Sequence, residues 1–419
     1  MPHLLDEIII AQKRGEARGI TSICSSHPWV LKAALREKKP VLIESTCNQV
    51  NQFGGYTGMT PMDFMHFVSK LAGDNGFPVD RLILGGDHLG PGIWQNEPAS
   101  SAMQKSAEMV ASYIKAGYTK IHLDTSMKLW DDDPSHPLPI EEAARRTVLL
   151  AKVAEATSDP SNPPCYVLGT EVPTPGGALG HKERIQVSSV KNVQGMLEIF
   201  QNTFIQAGLD EAWQRVLAVV VQPGVEFGDD FVVDYQPETA RDLADFIETT
   251  HIVYEVHSTD YQKRSNLRRL VCDHFAILKV GPALTFAFRE AAFALALMEN
   301  ELIPVKQRSD LFLVLEEVMI QHPKHWQEHY RGSETAMRIA RKFSLSDRMR
   351  YYWAYPQVQA AFGRLLKNLG DRPLPFSLLS QFAALQFEKI REGKIGNSPE
   401  AIILDKIRSV IEDYDFACL

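Results

Sequence analysis

The chain has 419 residues, 45% of them hydrophobic, so it is long enough to bury a large core. Its formal net charge of −8 argues against nucleic acid or an anionic membrane as the main partner, because both attract a basic face. The longest apolar runs fall far short of the roughly 18 residues of a membrane span, and the acidic amino-terminal run is unlike a signal peptide. Five scattered cysteines are typical of reduced thiols. We therefore expect a cytoplasmic globular protein.

Strand-like apolar runs recur along the first two thirds of the chain. Each run is bounded by glycine, proline or polar residues, which is typical of buried parallel strands. The predicted strands are 20–26, 41–46, 81–88, 120–126, 165–172, 215–224, 251–259 and 275–284.

Segments with helical periodicity alternate with these strands. They are 29–37, 61–72, 100–116, 140–156, 190–207, 237–249, 262–274 and 285–302. Strands that alternate with helices indicate β-α-β crossovers, and eight of them in this length predict a closed (β/α)₈ TIM barrel. A doubly wound open sheet is the alternative, but no G-x-G-x-x-G follows the first strand.

The rest of the chain shows no strand pattern. Helical periodicity over 310–320, 334–342 and 399–414 predicts that residues 303–419 form a helical extension packed on a barrel of residues 1–302. Loops after the predicted strands are longer than those before them, so one rim of the barrel is expected to carry the function.

The carboxyl ends of the predicted strands are rich in residues that can do chemistry. Every second side chain of a strand points into the barrel, so these residues are expected to converge at its mouth. They include Glu44, Asp87, His88, His122, Asp124, Glu171, Glu255, His257 and Lys279.

Several converging carboxylates need protons, a cation or a basic partner. Lys279 can neutralise one of them, and a divalent metal (Zn²⁺, Mn²⁺, Co²⁺ or Ni²⁺) bound by His88, His257 and Glu171 would neutralise more. Each lone histidine can equally be an ordinary polar residue without a ligand. Asp87, Glu44 and Glu171 are the candidate catalytic carboxylates.

A phosphate site is predicted after the seventh and eighth strands, where barrels often bind phosphate at a helix amino terminus. Its candidate residues are Ser258, Thr259, Lys279 and Gly281, although Gly281 and the proline after it can simply begin the next helix. A Schiff base on Lys279 is a weaker alternative. A kinase finds no support, because G-x-x-x-x-G-K-[ST] is absent.

Six long segments resemble one family over essentially the whole chain. They are ESTCNQVNQFGGYTGMTP at 44–61, GGDHLGP at 85–91, GTEVP at 169–173, VQPGVEF at 221–227, HSTDYQ at 257–262 and LKVGPALTF at 278–286. With the segment 344–353, they are similar to the Z-type (GatZ/KbaZ) subunits of tagatose-1,6-bisphosphate aldolase, a family also labelled tagatose-6-phosphate kinase.

The resemblance implies a non-catalytic, chaperone-like subunit that supports a zinc-dependent class II aldolase, the catalytic Y subunit, in tagatose 6-phosphate, galactitol or N-acetylgalactosamine catabolism. The alternative is a metal-dependent epimerase or aldolase that acts on ketohexose phosphates by itself. An exposed apolar patch, sought around 351–353, would indicate a partner surface.

The Z family in turn resembles the class II aldolases. By that resemblance Asp87 and His88 match an Asp-His pair in which the aspartate transfers protons and the histidine binds zinc, and His257 matches a second zinc ligand. The third zinc histidine of those enzymes follows the sixth strand, where this chain has Gln222. Glu171 is the candidate replacement for that ligand.

Overall fold

The apolar runs of the sequence form a closed barrel of eight parallel strands in the computed structural model, which describes residues 4–37, 39–169, 185–370 and 373–419. The barrel strands are β1 Ile20–Cys24, β2 Val41–Thr46, β3 Leu82–Leu89, β4 Lys120–Asp124, β5 Cys165–Gly169, β6 Val216–Val220, β9 Val253–Val256 and β10 Phe275–Val280. Two further short strands, β7 Glu226–Phe227 and β8 Val232–Val233, form a separate two-stranded sheet. The barrel order is β1-β2-β3-β4-β5-β6-β9-β10, and β10 closes on β1. The prediction of a TIM barrel is therefore confirmed.

Helices follow the barrel strands and surround the sheet. In the first 302 residues they are α1 Asp6–Lys13, α2 Pro28–Ala34, α3 Pro61–Asp74, α4 Ala99–Lys115, α5 Ile140–Thr157, α6 Val190–Gln206, α7 Asp210–Gln214, α8 Pro237–Glu248, α9 Arg264–Cys272 and α10 Pro282–Leu302. The later helices are α11 Leu311–Gln321, α12 Glu334–Phe343, α13 Pro356–Gly370, α14 Phe376–Phe382, α15 Ala384–Arg391 and α16 Pro399–Cys418.

Several predicted strands were too long at their carboxyl ends. The run 275–284 is a strand only to Val280, because Pro282 begins α10 and fixes a helical φ at its first position. The antiparallel ribbon of β7 and β8 lies where the sequence predicted only a loop.

Side-chain alternation divides the core into two layers. On β2, Leu42 belongs to the apolar cluster inside the barrel, whereas Ile43 packs in the larger cluster between the sheet and the helices. Glu44 is the next inward position and is fully buried. The barrel interior therefore changes from apolar to charged along its axis, toward the carboxyl ends of the strands.

The helices after Leu302 are anchored on the barrel by the last of them. Helix α16 packs against α2, α9 and α10. Its end accepts a hydrogen bond at the Cys418 carbonyl from the Gly19 N–H (3.0 Å), and the Tyr414 hydroxyl donates to the Thr259 carbonyl (2.8 Å). Over the described parts of the chain, no helix combines the length and apolar character that crossing a bilayer requires.

Candidate functional site

The carboxyl end of β3 is irregular, and this irregularity directs two side chains into the barrel mouth. The pairing of β3 with β4 shifts register between Gly86 and Leu89, so an extra residue bulges there. His88 lies in the bulge with a φ of 51°, a left-handed conformation that costs a non-glycine residue energy. A Cβ on Gly85 would come within 2.8 Å of the Glu44 side chain, so the glycine makes room for that carboxylate.

Two lysines pair with three buried carboxylates just below the mouth, which leaves one negative charge in excess. Lys120 forms ion pairs with Glu44 and with Glu255 (2.5 Å to the latter), and all three side chains are inaccessible to solvent. Lys279 contacts Asp87 and lies 3.0 Å from Glu44. We call these five residues the carboxylate–lysine cluster. The prediction that Lys279 compensates a buried carboxylate agrees with this geometry.

The pKa shifts follow from the pairing within the cluster. Burial alone would lower the pKa of Lys120, but Glu255 and Glu44 outweigh burial and raise it. Burial would raise the pKa of Asp87, but His88 and Lys279 hold it well below its usual range. The lysines are therefore cationic and the Asp87 carboxyl is ionised at neutral pH.

Three imidazoles meet above this cluster. The ring centroids of His88, His122 and His257 lie 5.0 to 5.4 Å from one another. Each ring has one nitrogen beside a carboxylate oxygen: His88 Nδ1 at 2.9 Å from Asp124, His122 Nδ1 at 2.7 Å from Asp87, and His257 Nε2 at 3.0 Å from Glu255. Such pairs fix ring orientation and tautomer, as the outer partners of metal-binding histidines do.

The remaining atoms suit a divalent metal. One ligand atom from each of Asp87, His88, His122 and His257 can be chosen so that all four lie within 4.8 Å of one another. Nε2 of His122 is buried without a hydrogen-bond partner among the described residues. Burial and the nearby Lys279 lower the pKa of His257 to about 3, so this imidazole is neutral, as a ligand must be. Three imidazoles and a carboxylate match the donors that zinc, cobalt and nickel accept.

The predicted phosphate residues have partners within the protein. The Asp260 carboxylate accepts hydrogen bonds from the Gly281 and Ala283 N–H groups (3.0 and 2.8 Å), so it occupies the start of α10. The Thr259 hydroxyl donates to the Lys279 carbonyl at 2.5 Å. Ser258 has a φ of 56° and lines the mouth. A phosphate at Gly281 would have to displace Asp260, and the phosphate site there stays a prediction.

The barrel mouth opens into a cavity of about 810 Å³, within the range of small-molecule pockets. Its barrel side includes Asp87, His88 and His257, together with Cys24 and Lys279. Its opposite side comes from the C-terminal extension and includes Lys324, His325, His329, Arg348, Arg350 and Tyr351.

The segment 351–353 is not the exposed patch that was sought as a partner surface. Tyr352 and Trp353 are buried, and the Trp353 ring lies 4.8 Å from that of Phe288. Tyr351 stacks on His325 and contacts Tyr56 edge-on, so it helps to close the cavity. These aromatic rings join the extension to the barrel.

Sequence reasoning found part of this site. Asp87, His88, His257, Glu44 and Lys279 converge as predicted. Glu171, the proposed third metal ligand, lies outside the described residues. The Gln222 side chain accepts hydrogen bonds from the Gly224 and Val225 N–H groups and thereby shapes the loop after β6.

Two residues of the site were not assigned a role from the sequence. His122 lies at a predicted strand end. It supplies a third imidazole, which the chain lacks at Gln222, the position of the third zinc histidine in the class II aldolases. Lys120 is the first residue of β4, and the strand pattern of the sequence assigns it no role. Its position beside Glu44 follows from the strand register, which the sequence pattern does not give: Glu44 pairs with Gly85, and Gly85 pairs with Lys120.

Comparisons with known proteins agree with the resemblance in the sequence. Residues 5–419 match the family described as "D-tagatose-1,6-bisphosphate aldolase subunit GatZ/KbaZ-like". The chain is 50% identical to the D-tagatose-1,6-bisphosphate aldolase subunit GatZ of Salmonella dublin and 49% identical to that of Salmonella typhimurium, with 99% of each chain covered.

A solved structure supports the same relationship. A Sinorhizobium meliloti protein, described as a probable tagatose 6 phosphate kinase, superposes with a TM-score of 0.89 at 43% identity, over 96% of this chain and all of that one. The chain therefore belongs to the GatZ/KbaZ-like family of D-tagatose-1,6-bisphosphate aldolase subunits.

Proposed function

We propose that this chain is itself a metal-dependent enzyme that acts on ketohexose phosphates, by aldol-type cleavage or by epimerisation. The observation that carries the proposal is the convergence of three carboxylate-oriented imidazoles and Asp87, of which Asp87, His88 and His257 line a cavity. A chain with a purely supporting role has no physical reason to hold buried, partly unpartnered histidines in one place, because burying them costs energy.

The protein's own groups would act as follows. His88, His122 and His257 would hold the cation, which when bound would polarise the carbonyl and a neighbouring hydroxyl of the sugar. Asp87 is paired with Lys279, which keeps its carboxyl ionised and available to accept the hydroxyl proton. Glu44 and Glu255 hold Lys279 in position and do not face the cavity.

The test uses the purified chain stripped of metal and reloaded with Zn²⁺, Mn²⁺, Co²⁺ or Ni²⁺. Incubation with tagatose 6-phosphate and with tagatose 1,6-bisphosphate, followed by NMR of the sugars, should show metal-dependent turnover. His122→Gln should abolish it, and His66→Gln, on the exposed face of α3, should not. Absence of turnover with all four metals would overturn the enzyme proposal.

A second candidate is the supporting role. Relatives that match over 99% of their length carry the word "subunit" in their names, which favours a chain that stabilises a catalytic class II aldolase partner, the Y subunit. The test is co-expression with such a chain. A rise in the partner's aldolase activity and thermal stability that persists in the His122→Gln variant would support this role independently of catalysis here.

A further inference from the structure

The side of the cavity that the extension supplies carries positive charge without matching carboxylates. Four arginines are buried in the described chain, and three of them form ion pairs: Arg146 with Asp132, Arg289 with Asp347, and Arg341 with Glu316. The fourth is Arg348, 7% exposed, and no carboxylate of the described residues lies within 4 Å of its guanidinium. Buried charges are normally paired, so Arg348 is an exception that calls for a partner.

The hydrogen bonds of Arg348 position it without neutralising it. Its Nη1 donates to the His325 carbonyl at 3.1 Å, and its Nε is buried with no hydrogen-bond partner among the described residues. The neighbouring Arg350 likewise donates to the carbonyls of Ser346 and Asp347 and to the Tyr351 hydroxyl, all neutral acceptors. Two guanidinium groups therefore face one cavity with no carboxylate in ion-pair contact among the residues that the structure describes.

The nearest acidic groups are already engaged elsewhere. The carboxylate of Asp347 accepts a hydrogen bond from the Thr285 hydroxyl (2.6 Å) and pairs with Arg289. Asp229 accepts hydrogen bonds from the hydroxyls of Ser344 and Ser346. Asp229 attracts Arg348, and Asp347 and Asp260 attract Arg350, only at longer range, because none of them forms an ion pair with either arginine in the described part of the chain.

The same positive charge acts on a neighbouring histidine. Burial, together with the charges of Arg348 and Arg350, lowers the pKa of His329 to about 4. Lys324 adds a further cation on the same wall of the cavity, and the Tyr56 ring packs 4.9 Å from that of Tyr351 at its edge. An anion with several acceptor oxygens would satisfy these donors.

We propose that Arg348 and Arg350 form the phosphate-binding end of the site, so that the extension selects phosphorylated sugars while the barrel does the chemistry. This inference deepens the proposed function and rests on it for the identity of the sugar. It places the phosphoryl group on the extension and not at the Ser258, Thr259 and Gly281 positions expected from the sequence.

The test separates phosphate binding from catalysis by using the metal-free chain. Calorimetry should detect binding of inorganic phosphate and of tagatose 6-phosphate, and much weaker binding of tagatose. Arg348→Met and Arg350→Met should each weaken phosphate binding about 10- to 100-fold, the effect of one charge-assisted hydrogen bond. Arg338→Gln, an exposed position on α12, should leave it unchanged.

Circular dichroism checks that each variant is folded. A second experiment does not depend on the variants: the wild-type chain is crystallised in the presence of phosphate. Density for phosphate between Arg348 and Arg350 is the expected result. Phosphate bound at Gly281 instead, equal affinity in the arginine variants, or no phosphate binding by the wild-type chain would each overturn the inference. Phosphate binding without turnover would overturn only the enzyme proposal.

Discussion

The carboxylate–lysine cluster and the arginine pair of the extension both bury charge beside one cavity, but they do so in opposite ways. In the cluster, Glu44, Asp87 and Glu255 face Lys120 and Lys279 at ion-pair distances. In the extension, Arg348 and Arg350 donate to neutral oxygens. Charges held in close ion pairs mainly stabilise the fold, whereas cations without a carboxylate in ion-pair contact attract an anionic ligand.

The difference also separates positioning from binding within the site. The cluster lies under the imidazoles and orients them through Asp87 and Glu255. The arginines reach the cavity from a part of the chain that follows the barrel in sequence. We therefore expect substitutions in the cluster to affect stability first, and those in the arginine pair to affect ligand binding first.

The largest effect is expected for Lys120→Met. It would leave Glu44 and Glu255 with one fewer cation at a site with no solvent access, so the free energy of unfolding should fall by about 3–5 kcal/mol. The measurement is urea denaturation. Lys115→Met, on the exposed face of α4, should change it by less than about 0.5 kcal/mol. A loss below about 1 kcal/mol for Lys120→Met would contradict the claim that its ion pairs with Glu44 and Glu255 stabilise the fold.

Asp124→Asn tests how the imidazoles are oriented. Asp124 lies 2.9 Å from His88 Nδ1 and only 12% of its side chain is exposed, so it should fix the tautomer that presents Nε2. We expect metal affinity, measured by competition with a chelating dye, to fall about 10- to 100-fold. Asp245→Asn, exposed on α8, is the control. Unchanged affinity would show that His88 does not bind the metal.

His27 represents a third way to bury a titratable group, which is to remain neutral. It lies between the barrel and the extension, with its ring 4.3 Å from that of Phe288, and burial lowers its pKa to about 3. The unfolded chain takes up a proton near pH 6.5 and the folded chain does not. Stability due to the neutral ring is therefore complete above pH 6.5 and is lost as the pH falls from 6.5 toward 3.

His27→Leu should remove this pH dependence. At pH 7.5 the variant should be at least as stable as the parent, because the buried Nδ1 has no hydrogen-bond partner among the described residues. When the pH is lowered from 7.5 to 5, the parent should lose about 2 kcal/mol of stability that the variant does not lose. Chemical denaturation at the two pH values measures both quantities. Parallel pH profiles for parent and variant would exclude the neutral-burial account of His27.

The smallest effect on stability is expected for Arg348→Met. An unmatched buried charge is replaced there by an apolar chain of similar length, so the free energy of unfolding without phosphate should change by less than about 1 kcal/mol. At the same concentration, phosphate should raise the Tm of the parent more than that of the variant. A destabilisation as large as that of Lys120→Met would mean that Arg348 has a stabilising ion-pair partner within the folded protein.

The barrel and the converging strand ends could be predicted because alternation in a strand decides which side chains face inward. Glu255 and His257 share the interior for this reason, while the Tyr254 hydroxyl donates to the Leu243 carbonyl of α8. Lys120 could not be predicted, since its level in the barrel depends on inter-strand register. The metal-facing pose of His88 depends on a bulge with positive φ, which has no clear sequence signal.

The anion-binding arginines were missed for a different reason. They belong to a short 3-10 turn, Arg348–Tyr351, that reaches the cavity only because the extension folds back onto the barrel. Local periodicity carries no information on such long-range docking. An exposed apolar patch around 351–353 would indicate a partner surface, but Tyr352 and Trp353 are buried.

The central claim is that His88, His122 and His257 form a metal site at the floor of the cavity. Its most direct test is anomalous diffraction from crystals of the chain reloaded with Co²⁺, recorded on both sides of the cobalt absorption edge. We predict an anomalous peak among these three imidazoles and Asp87, and no such peak in the His122→Gln variant. Cobalt bound elsewhere, with no peak among the three rings, would contradict the account.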